Sequence, residues 1–213
     1  MHISEGVLSG PTLLGGWVLA AVGVAVGLKR IDYDRVMTVA MLAAAFFVAS
    51  LVHVPVGPAS VHLILNGLLG IILGWAAFPA ILAGLALQAL FFQFGGLAVL
   101  GVNTVTMAGP AVLMHYCCRP WLRRSGAARP VAAFVAGAGA VLFSGLLLAV
   151  AMGVSDKGFL GAARLVVLAH LPVMAIEGLV TMFAVSFLAR VQPEMLGLTF
   201  ESPSPVPAPA EPH

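Results

Sequence analysis

The first two residues of the chain, Met1 and His2, carry three nitrogen donors in covalent succession. The α-amine, the deprotonated amide nitrogen of His2 and a nitrogen of its imidazole can close two adjacent chelate rings on one cation. Three such donors in a plane favour a divalent late transition metal such as Ni(II) or Cu(II). A histidine at position 2 is also often an ordinary terminal residue, so a metal site needs a further donor from elsewhere in the chain.

His62 is the candidate for this fourth donor. It follows the Pro- and Gly-rich stretch 53–60, at the predicted start of a membrane helix, where an unpartnered imidazole is costly. An imidazole bonded to a nearby carbonyl explains the same position equally well. His53 competes for the role, and we prefer His62 because His53 ends its predicted helix. His170 and Glu177 share a predicted helical face, where interhelical hydrogen bonding explains them better than a metal or proton relay.

Three polar residues, Glu5, Asn66 and Asn103, are predicted to support the ligands without touching the metal. Asn66 comes four residues after His62, so on a single helix the two side chains would share a face. Glu5 can pair with a cation or accept a hydrogen bond near the chelate. Asn103 belongs to a group of amides and hydroxyls that often join membrane helices.

The composition predicts an all-α, polytopic membrane protein. Of 213 residues, 61% are hydrophobic and 8% are charged, and the mean hydropathy is +1.09. An ordinary soluble domain has roughly 25% charged residues, so a soluble enzyme is excluded. The 24 glycines fit helices that approach one another closely in lipid.

Seven apolar segments are separated by short polar or Pro/Gly-containing links, which predicts a bundle of seven transmembrane helices. The predicted spans are residues 13–28, 37–52, 61–75, 77–92, 97–116, 130–152 and 161–189. Residues 1–198 therefore form one membrane domain. The tail 199–213 alternates prolines with small or acidic residues and is predicted to be disordered.

The basic residues are distributed unevenly between the two predicted sides of the membrane. With alternating helices, two of the ten, Lys157 and Arg164, fall on one side, and the other eight fall opposite. Basic residues collect in cytoplasmic loops. The pattern predicts a plasma-membrane protein with its N-terminus outside and its C-terminus in the cytoplasm.

Several chemistries lack their sequence signatures. There is no phosphate-binding G-x-x-x-x-G-K-[ST] loop, no H-E-x-x-H and no nucleophile elbow. The two cysteines, Cys117 and Cys118, are adjacent, which disfavours a structural disulfide. We therefore expect no enzymatic activity, no organic cofactor and no nucleic acid partner.

Three stretches resemble the CbiM/NikM family, whose members are the substrate-specific S components of energy-coupling-factor transporters for cobalt and nickel. The stretches are MHIxEGxL at 1–8, PVGPxSVHL at 55–63 and QALFFQFGGLxxLGxNT at 88–104. The resemblance implies a seven-helix S component with its N-terminus tucked into the bundle. It also implies a metal held by the Met1 amine, the amide and imidazole of His2, and His62.

The same resemblance implies partners: a transmembrane T component, two cytoplasmic ATPases and a small accessory membrane subunit. Ala21 and Ala25, which form a small-xxx-small pair on the first helix, are the candidates for docking. Many relatives carry a Gly-rich loop where this chain has 57–62, so cobalt and nickel both remain open, with cobalt favoured by resemblance. The predicted function is capture of Co(II) or Ni(II) for ATP-driven import. The alternatives are a metal permease that works without an ATPase and a structural membrane subunit.

Overall fold

The computed structural model describes residues 2–51, 53–56 and 59–198. Met1 and the predicted disordered tail, 199–213, lie outside the described residues. The helices are α1 (Gly10–Leu28), α2 (Val36–Ala49), α3 (Asn66–Leu73), α4 (Ala77–Phe92), α5 (Leu100–Leu122), α6 (Ala128–Ser155) and α7 (Leu160–Val191).

Three short strands form a small sheet at the end of the bundle where α3 begins. They are β1 (His2–Ile3), β2 (His53–Val56) and β3 (Ala59–His62), all antiparallel, with β3 in the centre. The Pro- and Gly-rich stretch 53–60, which lies between two predicted helices, supplies β2 and the first two residues of β3. Pro55 lies on β2, an edge strand, which is the position in a sheet where proline is tolerated.

The prediction of seven separate transmembrane helices is wrong. α3 and α4 follow one another through the 3-10 turn Gly74–Ala76 without a loop, so the helices of the described residues form six continuous stretches. The third predicted span fails at its start, since Val61 and His62 belong to β3. The eight residues of α3 rise only about 12 Å, which is too short for a hydrocarbon core about 30 Å thick.

The helical membrane class is confirmed. Within the described residues, four helical stretches are long and apolar enough to cross a membrane: Gly10–Leu28, Asn66–Phe92, Ala128–Ser155 and Gly161–Val191. α2 has 14 residues, fewer than the about 20 that cross a bilayer upright. The predicted span at 37–52 rests on hydropathy, which does not show where a helix begins and ends.

α3 is the central helix, and every one of its residues is buried. Its close approach to α6 requires glycine, because a Cβ added to Gly67 would lie 2.5 Å from the Cα of Gly137. α7 packs on the other side of Gly137, whose added Cβ would lie 2.6 Å from the carbonyl oxygen of Glu177. The start of α3 is therefore held between α6 and α7, next to the sheet.

α1 has two faces of small residues, and the bundle uses one of them. Gly23 and Gly27 are buried against Phe78 and Pro79 of α4. Ala21 and Ala25 are exposed. Their role in docking a partner stays a prediction, and the structure leaves this face open.

Candidate metal site

β1 fixes the N-terminal segment of the chain against the central strand. His2 lies opposite Ser60 and Ile3 lies opposite Ala59 in the antiparallel register. Ile3 is fully buried. This pairing brings the backbone of His2 alongside the strand that carries His62.

Asn103 of α5 binds the backbone immediately after His2. Its Oδ1 accepts the N–H of Ile3 at 3.1 Å, and its Nδ2 donates to the carbonyl of Ile3 at 3.5 Å. The side chain is 2% exposed, so these hydrogen bonds are shielded from water. Asn103 therefore holds the peptide chain next to the predicted chelate. Its support of a metal stays a prediction.

Glu5 ties the same segment to the turn between α4 and α5. Its Oε1 accepts the backbone N–H of Ala98 at 2.9 Å. The carboxyl group packs against Gly96, where φ is +113° and an added Cβ would collide with it. The side chain thus accepts a backbone hydrogen bond from the turn, and its support of a metal ligand stays a prediction.

His62 is the last residue of β3 and is 3% exposed. Its Nδ1 lies 2.9 Å from the carbonyl oxygen of Leu63. Because a carbonyl oxygen only accepts, Nδ1 carries the proton and the lone pair of the neutral ring lies on Nε2. Burial lowers the pKa of His62 from 6.5 to about 4, against the opposing effect of the Leu63 hydrogen bond. The imidazole is therefore neutral at physiological pH, which is the form that binds metals.

The competing histidines lie in different places. β2 sets the backbone of His53 directly opposite His62 in the register of the sheet. His170 is 1% exposed, and its Nδ1 donates to the carbonyl of Val166, one turn earlier in α7. Its proximity contributes to the lowered pKa of His62. Sheet pairing and the bundle interior thus bring three histidines to one end of the molecule.

The predicted relation between His62 and Asn66 is wrong, because they do not share a helix. His62 ends β3, and Asn66 is the first residue of α3. The Nδ2 of Asn66 donates to the carbonyl of Met107 at 3.2 Å and to the hydroxyl of Ser144 at 2.9 Å. Asn66 joins the start of α3 to α5 and α6.

Glu177 makes the contact that sequence reasoning missed. It is fully buried in α7, and its Oε1 accepts the backbone N–H groups of Ile64 and Leu65, the latter at 2.7 Å. Glu177 is therefore hydrogen-bonded across the bundle, but to the connection before α3 and not to another helix as predicted. A buried carboxylate in an apolar helix was the signal, but its partners are 112 and 113 residues away in the sequence.

A metal site at this end needs donors from the first residues of the chain or from β2. Among the described side chains, which leave out those of His2 and His53, no three His, Cys, Asp or Glu residues lie together to hold an ion. The neutral imidazole of His62 is one nitrogen donor. The backbone of His2 pairs with the same strand, so its amide nitrogen is a second candidate donor at this end of the bundle.

Comparisons with known proteins find metal transport proteins. Residues 2–195 match the model of the CbiM family, described as the cobalt uptake substrate-specific transmembrane region. A Haemophilus influenzae protein, provisionally named a metal transport protein, is 46% identical over 202 residues, 93% of this chain and 98% of its own length. The cobalt transport protein CbiM of Sorangium cellulosum is 34% identical, over 92% and 94% of the two chains.

Other relatives carry nickel in their names or have solved structures. The fused nickel transport protein NikMN of Rhodobacter capsulatus is 32% identical over all of this chain and 67% of its own length. Crystal structures of a transition metal transporter and of its truncated form have TM-scores of 0.80 and 0.79, each at 26% identity. Both cover 90% of this chain, and the chain covers 93% and 99% of them, respectively. On the family match over nearly its whole length, this chain belongs to the CbiM family.

Proposed function

We propose that this protein is the substrate-binding membrane subunit of an ATP-driven importer for a divalent transition metal, with Co(II) preferred and Ni(II) second. The ion would be held by the Met1 amine, the amide and imidazole of His2, and Nε2 of His62. The pairing of β1 with β3 carries the proposal, because it sets the His2 backbone beside the strand of His62. The cobalt and nickel names of the relatives support the choice of ions.

The surroundings of His62 suit a ligand for such an ion. Its Nδ1–H is bonded to the Leu63 carbonyl, which directs the other ring nitrogen toward a metal. Metal capture by an amine and an amide releases protons, so capture weakens as the pH falls. Nitrogen donors in this number also favour late transition metals over Mg²⁺ or Ca²⁺, which prefer oxygen.

ATP hydrolysis is assigned to partner subunits, since this chain carries no nucleotide-binding loop. The partners proposed are a transmembrane T component, two cytoplasmic ATPases and a small accessory membrane subunit. The exposed pair Ala21 and Ala25 on α1 is the proposed docking face. The proposed orientation in the plasma membrane places the N-terminus outside and the C-terminus in the cytoplasm, as the basic residues favour.

The test is metal binding to the purified protein, with Co(II) and Ni(II) titrated in parallel. His2→Ala and a variant with one Gly inserted after Met1 are compared with the unchanged chain. Wild type is expected to bind one equivalent. Both variants are expected to lose binding, because each one breaks the chelate while leaving the bundle intact.

His115→Gln is the matched control, since its imidazole bonds the Gly70 carbonyl near the far end of α3. Normal binding by the Gly-insertion variant would reject the terminal amine and His2 amide as ligands. Uptake in cells that lack the ATPases would instead favour a permease. Absence of binding by wild type would reject the proposal as a whole.

A further inference from the structure

The connection between β3 and α3, residues 63–65, is held by a side chain from the distant helix α7. Glu177 is fully buried in the interior of the bundle. Its Oε1 accepts two consecutive backbone N–H groups, those of Ile64 and Leu65. These two amides come after the sheet ladder and before the first helical bond of α3, so neither element supplies an acceptor for them.

The conformation of this connection is one that the chain does not adopt readily by itself. Leu65, the N-cap of α3, has φ +56° and ψ 15°, in the left-handed region that disfavours a residue with a branched side chain. Ile64 and Leu65 are both buried. Two buried backbone amides without acceptors would be costly, so the carboxylate of Glu177 is what permits this bend.

The bend also determines where the His62 ring points. The Leu63 carbonyl, which accepts the Nδ1–H of His62 at 2.9 Å, belongs to the same planar peptide group as the N–H of Ile64. Glu177 binds that peptide group on its N–H side, and His62 binds it on its carbonyl side. Turning this peptide plane would move the carbonyl and the imidazole together.

We propose that Glu177 is a positioning residue for the metal ligand His62, acting through the Leu63–Ile64 peptide group. Glu177 fixes the peptide plane, the plane fixes the imidazole by its Nδ1–H bond, and Nε2 is thereby aimed at the ion. The proposal rests on the function proposed above, in which His62 is a ligand. It adds a residue that does not touch the metal and lies on a different element from every proposed ligand.

The experiment measures Co(II) and Ni(II) affinity and the ligand-field absorption spectrum of each metal complex in detergent. Three replacements are compared: Glu177→Gln, Glu177→Asp and Glu177→Leu. Gln keeps a carbonyl oxygen at the same reach, so it should retain affinity within about threefold and leave the spectrum unchanged. Asp and Leu should lower affinity by about tenfold or more and shift the spectrum, since the loss of such outer partners typically costs 10–100-fold.

Thr181→Val is the matched control. Thr181 is fully buried one turn further along α7, and its hydroxyl has no hydrogen-bond partner among the described residues. The replacement keeps the shape of the side chain and should leave both affinity and spectrum unchanged. A role of Glu177 in packing alone would lower thermal stability without changing the spectrum of the bound metal.

The proposal is overturned if Glu177→Asp and Glu177→Leu are folded and bind the metal with wild-type affinity and spectrum. If Glu177→Leu does not fold, Glu177→Asp decides the matter by the same criteria. Wild type and Thr181→Val in the same titration separate the proposed metal-binding function from the proposed positioning role of Glu177. Failure of both to bind rejects the metal-binding function, whereas equal binding by all folded variants rejects only the role of Glu177.

Discussion

The two ends of α3 are stabilised by opposite kinds of side chain. At the sheet end, Glu177 accepts the amides of Ile64 and Leu65 just before the helix begins. At the other end, Arg35 donates to the Ile72 carbonyl at 2.7 Å, and His115 donates to the Gly70 carbonyl at 2.9 Å. Both ends thus satisfy backbone groups that a short helix leaves unpaired.

The charges at the two ends follow the helix dipole. An acidic group suits the partly positive N-terminus of a helix, and basic groups suit its partly negative C-terminus. A cavity of about 330 Å³ at the C-terminal end is lined by Arg35, His115, Arg119, Arg123 and Glu194, among others. Three guanidinium groups make that cavity unfavourable for a divalent cation.

A buried histidine alone therefore does not locate a metal site. Each end of α3 has a half-buried or buried imidazole bonded through Nδ1 to a backbone carbonyl, His62 at one end and His115 at the other. What differs is the surroundings. His62 lies beside the N-terminal strand, whereas His115 shares its cavity with arginines.

The largest expected effect comes from removing each imidazole in turn. His62→Ala should weaken Co(II) and Ni(II) binding by more than about a hundredfold, since loss of a ligand exceeds the 10–100-fold cost of losing an outer partner. His115→Ala should change affinity by less than about twofold, because distant sites act independently. Competition titration against a chelator measures both. Equal losses of affinity in the two variants would show that the two ends of α3 do not differ in metal binding.

The next effect concerns the pH dependence of stability at the sheet end. The pKa of His62 falls from 6.5 to about 4 on folding, so between these pH values the unfolded chain binds a proton that the folded chain does not. Stability is therefore lost as the pH falls through this window, by about 2 kcal/mol at pH 5 for this group alone.

Thermal unfolding of the metal-free protein in detergent at pH 7 and pH 5 measures this loss. His62→Gln is expected to remove that part of the pH dependence, because its side chain does not titrate. If the variant and wild type lose equal stability on acidification, the imidazole is not held neutral by burial.

The smallest expected effect compares one backbone anchor from each end. Asn103→Leu removes both hydrogen bonds to Ile3 and should weaken metal binding by about tenfold, because the N-terminal segment is then less well placed. Arg35→Ala removes the bond to Ile72 and should leave affinity unchanged within about twofold.

Thr104→Val is the control for Asn103, because the Thr104 hydroxyl bonds only the Leu100 carbonyl of its own helix among the described residues. Isothermal titration of the folded variants at one pH gives all three affinities. An Asn103 variant that binds the metal as tightly as wild type would show that the hydrogen bonds from Asn103 to Ile3 do not contribute to metal binding.

Much of the fold class could be predicted from the sequence, but the third span could not. The apolar run that begins at Val61 looks helical because hydropathy does not distinguish a buried strand from a buried helix. Pairing with β1 and β2 makes residues 59–62 a strand, and those partners lie far away along the chain. The role of His62 as a metal ligand stays a prediction, and its predicted place at the mouth of a helix is wrong, because it ends β3.

The helical membrane class, the chelating potential of Met1 and His2, and the family to which they point could all be predicted from the amino-acid sequence. These are properties of composition and of covalently adjacent groups, which are present before the chain folds. The hydrogen bonds of Asn103 to Ile3 and of Glu177 to the connection after His62 depend instead on the packed helices. Such bonds join groups about a hundred residues apart, and their geometry exists only once the helices have packed.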